Sequence, residues 1–149
     1  MKRSTLLVLA MVLAVLGLID SAYLTHADVT GSALACGITG LDGCNVVAQS
    51  AYSRFWGIPL AEFGLVFYGA VLLLAIIAFT RPTKMVHGLM LLFGVVGAAL
   101  SLYFMGLQVF VIKALCVYCL GSAVLAVLLL AVAYFVWRRT PDPLAIPSM

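Results

Sequence analysis

The sequence predicts an all-α integral membrane protein, a four-transmembrane-helix bundle with one long loop between helices one and two. Three observations carry that expectation. Of the 149 residues, 66% are hydrophobic and 9% charged, more apolar sequence than a soluble core needs. The charges are confined to short intervals between apolar runs at 6–24, 60–80, 88–107 and 114–137. Each run is near the ~20 residues with which a helix crosses ~30 Å of hydrocarbon. Transmembrane strands would be about half this length, with alternating polar positions. A single membrane domain, 1–149, is therefore expected.

The first run follows Lys2 and Arg3, and the stretch to Ile19 with small residues near Thr25 to Ala27 also sketches a signal peptide. A retained helix is favoured, because apolar character continues past Asp20 through Tyr23 and Leu24 to spanning length. The interval 25–59 carries Gly31, Gly37, Gly40, Gly43, Asn45 and Ser50, which is loop chemistry, and the mobile functional part is expected here. Within it, 45–54 permits a short interfacial helix. Pro59 is placed to open the second helix, where a missing N–H costs no internal hydrogen bond. The third helix carries Gly94, Gly97, Ala98 and Ser101, small residues that let a neighbouring backbone approach. The segment 142–149, with Pro143 and Pro147, reads as a frayed tail.

Basic residues set the orientation. Lys2, Arg3, Arg81, Lys84, Arg138 and Arg139 fall on one side of a four-span chain, against Arg54 and Lys113 on the other. The positive-inside rule then makes both termini and the tail 138–149 cytoplasmic. The loop 25–59 and the short turn near Lys113 face outward, and all four cysteines lie in or beside them. Disulfides persist on that side of the membrane. The net charge of +3 encodes topology, and there is no basic surface long enough for nucleic acid.

Cys116-Val117-Tyr118-Cys119 is a C-x-x-C at the outer mouth of the fourth helix. Residues three apart share a helix face, so the two sulfurs can close into a disulfide. The helix N-terminus, with Lys113 nearby, favours a thiolate there. Cys36 and Cys44 enclose a glycine-rich ring in the outer loop, able to open and close with little backbone resistance. A flexible pair facing water and a rigid pair at the membrane surface are the minimum set for a two-step thiol–disulfide relay. Zinc ligation is disfavoured, because Cys36 to Cys44 is too wide for a zinc knuckle, and no metal is expected. Two inert structural disulfides are the stronger alternative. Against them, a C-x-x-C ring staples almost nothing, since loop-closure stabilisation grows with loop length. His26 and His87 read as interfacial residues. Asp20 and Glu62 lie just inside apolar runs, where carboxylates are functional candidates or reach interfacial water.

Taken together, Cys36, Cys44, Ser50, Gly57-Ile58-Pro59 and Cys116-Val117-Tyr118-Cys119 resemble the vitamin K epoxide reductase family, and Asp20-Ser21-Ala22-Tyr23-Leu24-Thr25 looks like that family's first-helix exit. The resemblance implies that the C-x-x-C is the active site beside a quinone. It further implies that Cys36 meets a reduced thioredoxin-like partner, that Cys44 exchanges with Cys116, that Cys119 faces the quinone, and that Ser50 is a polar aid. Phe63-Gly64-Leu65-Val66-Phe67-Tyr68 is similar to the family's second helix, implying that Phe63 and Phe67 line the quinone pocket; their plainer reading is lipid-facing or packing aromatics. Leu60 and Ala123 stand where vertebrate members place the asparagine and tyrosine that bond the quinone oxygens, which argues against epoxide reduction. The short loop resembles the bacterial branch. That implies a multi-pass protein of the bacterial inner membrane, reducing ubiquinone or menaquinone and oxidising a periplasmic thioredoxin-like thiol oxidase in trans. The Dsb-type quinone-coupled oxidases carry the C-x-x-C first and the wide pair second, the reverse of the order here.

Overall fold

The computed structural model describes residues 2–37 and 39–140, so the expected tail at 142–149 lies outside the described residues. The order is α1 (Arg3–Thr30), α2 (Cys44–Ala48), a 3-10 turn Ala51–Ser53, strands β1 (Arg54–Phe55) and β2 (Ile58–Pro59), α3 (Leu60–Thr80), α4 (Lys84–Gly106) continued by a π-helical segment Leu107–Ile112, and α5 (Val117–Arg138). Among the described residues, α1, α3, α4 with its π-helical extension, and α5 are the four helices long and apolar enough to cross a membrane.

The helix boundaries follow local chemistry. Hydropathy falls after Leu24, yet α1 continues to Thr30, because polar residues at an interface do not stop a helix. Gly31 stops it, turning left-handed at φ 65°, while the N–H groups of Gly31 and Ser32 close on the Asp28 and Ala27 carbonyls. At 28 residues, α1 is roughly 42 Å long and outreaches the hydrocarbon core, so its last turns stand among the loop residues. Pro59 caps α3, and the Thr83 hydroxyl accepts the Val86 N–H at the start of α4. The expected interfacial helix at 45–54 is realised as α2 and the 3-10 turn, followed by the β1–β2 hairpin.

In the bundle, α1 packs on α3 and α5, and α4 packs on α5 and α3. The core lies toward the chain termini. It is built from Leu6, Leu7, Ala10 and Ala14 of α1, Val71, Ala75 and Ala78 of α3, Met90 of α4, and Leu129, Ala133 and Val136 of α5. These recur every three or four residues, giving one inward stripe per helix. Small residues at the contacts let the helices approach closely. Gly97 is such a position, since a side chain there would run into the Phe67 ring of α3. His87, expected at an interface, is fully buried at this end, with Nδ1 2.8 Å from the Thr140 hydroxyl. The opposite end of the bundle is more open, and the cysteines lie there.

Candidate functional site

The outer loop is tied down across the mouth of the bundle. Asn45 holds Leu34 from both sides, its Oδ1 accepting the Leu34 N–H at 2.8 Å and its Nδ2 donating to the Leu34 carbonyl at 3.2 Å. Ala35, next to Cys36, donates its N–H to the Tyr23 hydroxyl at 3.2 Å and accepts from the Tyr118 hydroxyl at 2.8 Å. Those two tyrosine rings lie 5.0 Å apart. Further on, Asp42 forms a bridge with Cys116, and the Gly43 N–H donates to the Leu115 carbonyl at 2.9 Å. Gly43 is required by this close approach, because an added Cβ would sit 2.7 Å from the Ala114 Cβ and 2.9 Å from the Leu115 nitrogen.

This corrects the expectation of a free ring facing water. Cys36 and Cys44 form a disulfide with Cα atoms 6.3 Å apart. Cys36 is partly exposed, but Cys44 is completely buried in a cluster with Ala27, Leu34, Val47 and Cys116. Glycine-rich sequence permits mobility, and in this structure hydrogen bonds within the loop and from α1 and the start of α5 hold it in place.

The second pair is built by the end of α4. Its π-helical turn ends at Lys113 in the left-handed conformation, φ 56°, and such turns recur at functional sites. The turn faces Gln108 inward, only 3% exposed, where its Oε1 accepts the Cys116 N–H at 3.0 Å. Cys116 is the N-cap of α5, and its Sγ accepts the Cys119 N–H at 3.3 Å. Cys116 and Cys119 are free thiols. The Cys116 thiol is pulled down to about 7, above all by the hydrogen bond from the Cys119 thiol, which prevails over burial, with backbone N–H groups of Cys119 and Tyr118 adding to it. Lys113 itself is exposed at the end of the π-helical turn.

Below the cysteines lies a cavity of about 640 Å³, whose wall includes Cys44, Cys116, Cys119, Ser50, Phe63 and Phe67. Of the relay and quinone-pocket residues singled out from the sequence, all but Cys36 line this cavity, and Cys36 is joined to it through its disulfide with Cys44. The Ser50 hydroxyl donates to the Val47 carbonyl at 2.7 Å, leaving its oxygen able to accept. Phe67 packs on Phe93 and Tyr68, while Phe63 is 44% exposed and meets Phe55 edge-on. Leu60 and Ala123 also line the cavity and offer it no donor. A polar pair is present instead, with the Tyr68 hydroxyl 2.8 Å from both the carbonyl and the hydroxyl of Ser122. Sequence reasoning missed Gln108, Asn45 as a clamp, and this Tyr68–Ser122 pair. A lone glutamine near the end of an apolar helix was the one legible signal among them. Among the described residues, no three His, Cys, Asp or Glu side chains form a metal-binding group.

Fold and site define a multi-pass membrane protein in which a disulfide in a docked loop lies over a helix-capping dithiol. A profile of the vitamin K epoxide reductase family matches residues 8–134, and the chain belongs to that family. Over 118 residues it is 36% identical to the thiol-disulfide oxidoreductase LTO1 of Arabidopsis thaliana, an alignment covering 73% of this chain and 31% of that protein. The chain thus spans less than a third of the length of this relative.

Proposed function

We propose that this chain is a thiol:quinone oxidoreductase that passes electrons from a thioredoxin-like dithiol protein, through Cys36 and Cys44, to Cys116 and Cys119 and on to a membrane quinone, so supporting disulfide formation. One observation carries the reading: Cys44 and Cys116 are buried side by side at the top of a cavity into which Cys119 also opens.

Each step balances as two-electron exchange. The partner dithiol reduces the Cys36–Cys44 disulfide and leaves oxidised. The Cys44 thiolate then attacks Cys116 of the Cys116–Cys119 disulfide and expels Cys119, and Cys36 resolves the mixed disulfide. The outer pair is again a disulfide and the inner pair a dithiol, which is the combination present in the structure. Oxidation of that dithiol back to a disulfide delivers two electrons to the quinone. The cavity volume falls in the range of small-molecule sites. Phe63 and Phe67 offer ring faces to a planar substrate, and Ser50, Ser122 and Tyr68 offer polar atoms. The basic-residue distribution orients the loop outward, which in a bacterial inner membrane is the periplasm, with both termini cytoplasmic.

Purified protein given a reduced thioredoxin-like protein and a short-chain ubiquinone or menaquinone should consume quinone in step with thiol oxidation. Wild-type protein that leaves the quinone intact would return the chain to the alternative of inert structural disulfides. Adding vitamin K epoxide to the acceptor series tests specificity, and no turnover is expected with it, because Leu60 and Ala123 supply no hydrogen bond to the cavity.

A further inference from the structure

With Cys116 as the reacting thiolate, the inner dithiol is one proton short of what its proposed reaction needs. Cys116 Sγ accepts hydrogen bonds from both the N–H and the thiol of Cys119, an arrangement that suits a thiolate at Cys116 with the single thiol proton on Cys119. Oxidising that thiolate and thiol to a disulfide releases two electrons and one proton. Converting a quinone to a quinol takes up two electrons and two protons. The cavity must contain a source for the second.

Asp20 of α1 is placed to be that source. It forms part of the cavity wall with Cys116 and Cys119, and its Oδ2 is buried without a hydrogen-bond partner. An unpartnered buried carboxyl oxygen favours the protonated acid over the carboxylate. The groups facing it are Tyr68 of α3 and Cys116, Tyr118 and Cys119 at the start of α5, with Tyr23 further along α1. None of these is a cation that would hold the carboxylate in place.

Asp20 also belongs to a second cavity. This groove, about 370 Å³, is walled by Asp20 together with Leu16, Ile19, Tyr23 and Tyr118. The hydroxyls of Tyr23 and Tyr118 both reach Ala35 in the outer loop, so the groove extends from Asp20 to the level of interfacial water. Asp20 is thus the one residue shared by the walls of the redox cavity and of a groove lined by two hydroxyls.

We propose that Asp20, given the thiol:quinone reading above, is the proton donor to the quinone in this cavity and is reprotonated from outer water along the Tyr23–Tyr118 groove. The thiolate and the thiol supply two electrons and the first proton, Asp20 supplies the second, and the remaining carboxylate recovers a proton from water. The net reaction is dithiol plus quinone giving disulfide plus quinol.

The test uses the full chain in nanodiscs, pre-reduced and mixed anaerobically with decyl-ubiquinone, with quinone loss followed by absorbance. Dithiothreitol-driven reduction of the two disulfides is followed separately by maleimide gel shift. Asp20→Asn should slow quinone loss about a hundredfold with disulfide reduction unchanged, and Asp20→Glu should restore most of the rate. Asp20→Asn at wild-type rate would overturn the donor role and leave quinone reduction standing. Equal loss of both half-reactions in that variant would make Asp20 a structural residue and equally overturn it. Wild-type protein that exchanges thiols but leaves quinone untouched would overturn the functional reading and this inference together.

Discussion

The two cysteine pairs are neighbours in space but are held by opposite means. Cys116 and Cys119 are fixed by local structure: an N-cap, one turn of α5, and Gln108 presented by the π-helical end of α4. Cys36 and Cys44 are fixed partly across the loop itself, by Asn45 on Leu34, and partly from helices outside it, by Tyr23 and Tyr118 on Ala35 and by Leu115 on Gly43. A pair set by one helix turn keeps its geometry whatever its redox state. A pair held by a few loop bonds can change shape when its disulfide opens, as the proposed exchange with both a protein dithiol and an inside thiol requires. Stability within one fold is uneven in this way, and mobile parts come from its weaker end.

The strongest way to break this contrast is to remove one cysteine from each pair. Cys119→Ala should abolish quinone reduction with every donor. Cys36→Ala should abolish turnover with a protein dithiol yet retain part of it with dithiothreitol, which can reach Cys116 directly. Quinone assays with the two donors in parallel decide this. Equal loss from both donors in Cys36→Ala would show that the outer pair is not the way in.

A next, smaller perturbation lifts the loop without touching sulfur. Gly43→Ala places a methyl against Ala114 and the Leu115 backbone. It should slow exchange between Cys44 and Cys116 by about a hundredfold, the typical cost of a displacement near 1 Å at a reacting pair. Rapid acid quenching and thiol labelling would read that step, while dithiothreitol reduction of the inner pair should be almost unaffected.

The electrostatics of the inner pair are testable by titration. Cys116 should be alkylated by iodoacetamide with a midpoint near pH 7, because the thiolate reacts and the thiol does not. Below that pH the rate should fall. In Cys119→Ala the principal hydrogen-bond donor is gone, so the midpoint should rise toward that of an ordinary thiol, leaving less thiolate at neutral pH. An unchanged midpoint would assign the lowering to the helix start alone.

The smallest effect belongs to the ion pair between Arg54 and Asp28, which ties the hairpin to the end of α1 at 2.8 Å. Arg54 is half exposed, so Arg54→Ala should cost at most about 1 kcal/mol, read as a small shift in thermal unfolding in nanodiscs. Slowing of the Cys44–Cys116 exchange in Arg54→Ala as large as in Gly43→Ala would mean that the hairpin, and not the contact with Ala114 and Leu115, holds the loop in place.

Much of this protein was determined by sequence alone. Four apolar runs require four helices, since backbone groups in hydrocarbon must be satisfied within the segment. The C-x-x-C at a helix start brings its sulfurs to one face by helical spacing, and its cap chemistry is equally local. Tertiary structure decided the rest. That Cys44 and Cys116 share one buried cluster, that Gln108 supports the capping cysteine, and that Asp20 lines two cavities all depend on α1, the loop, α4 and α5 converging from distant parts of the chain. Loop composition offered mobility, but only the folded bundle supplies the hydroxyls, amides and carbonyls that hold the loop in its docked position. Local periodicity carries no information about those partners, because hydrogen bonds between segments are set by how helices pack and not by the order of residues within any one of them.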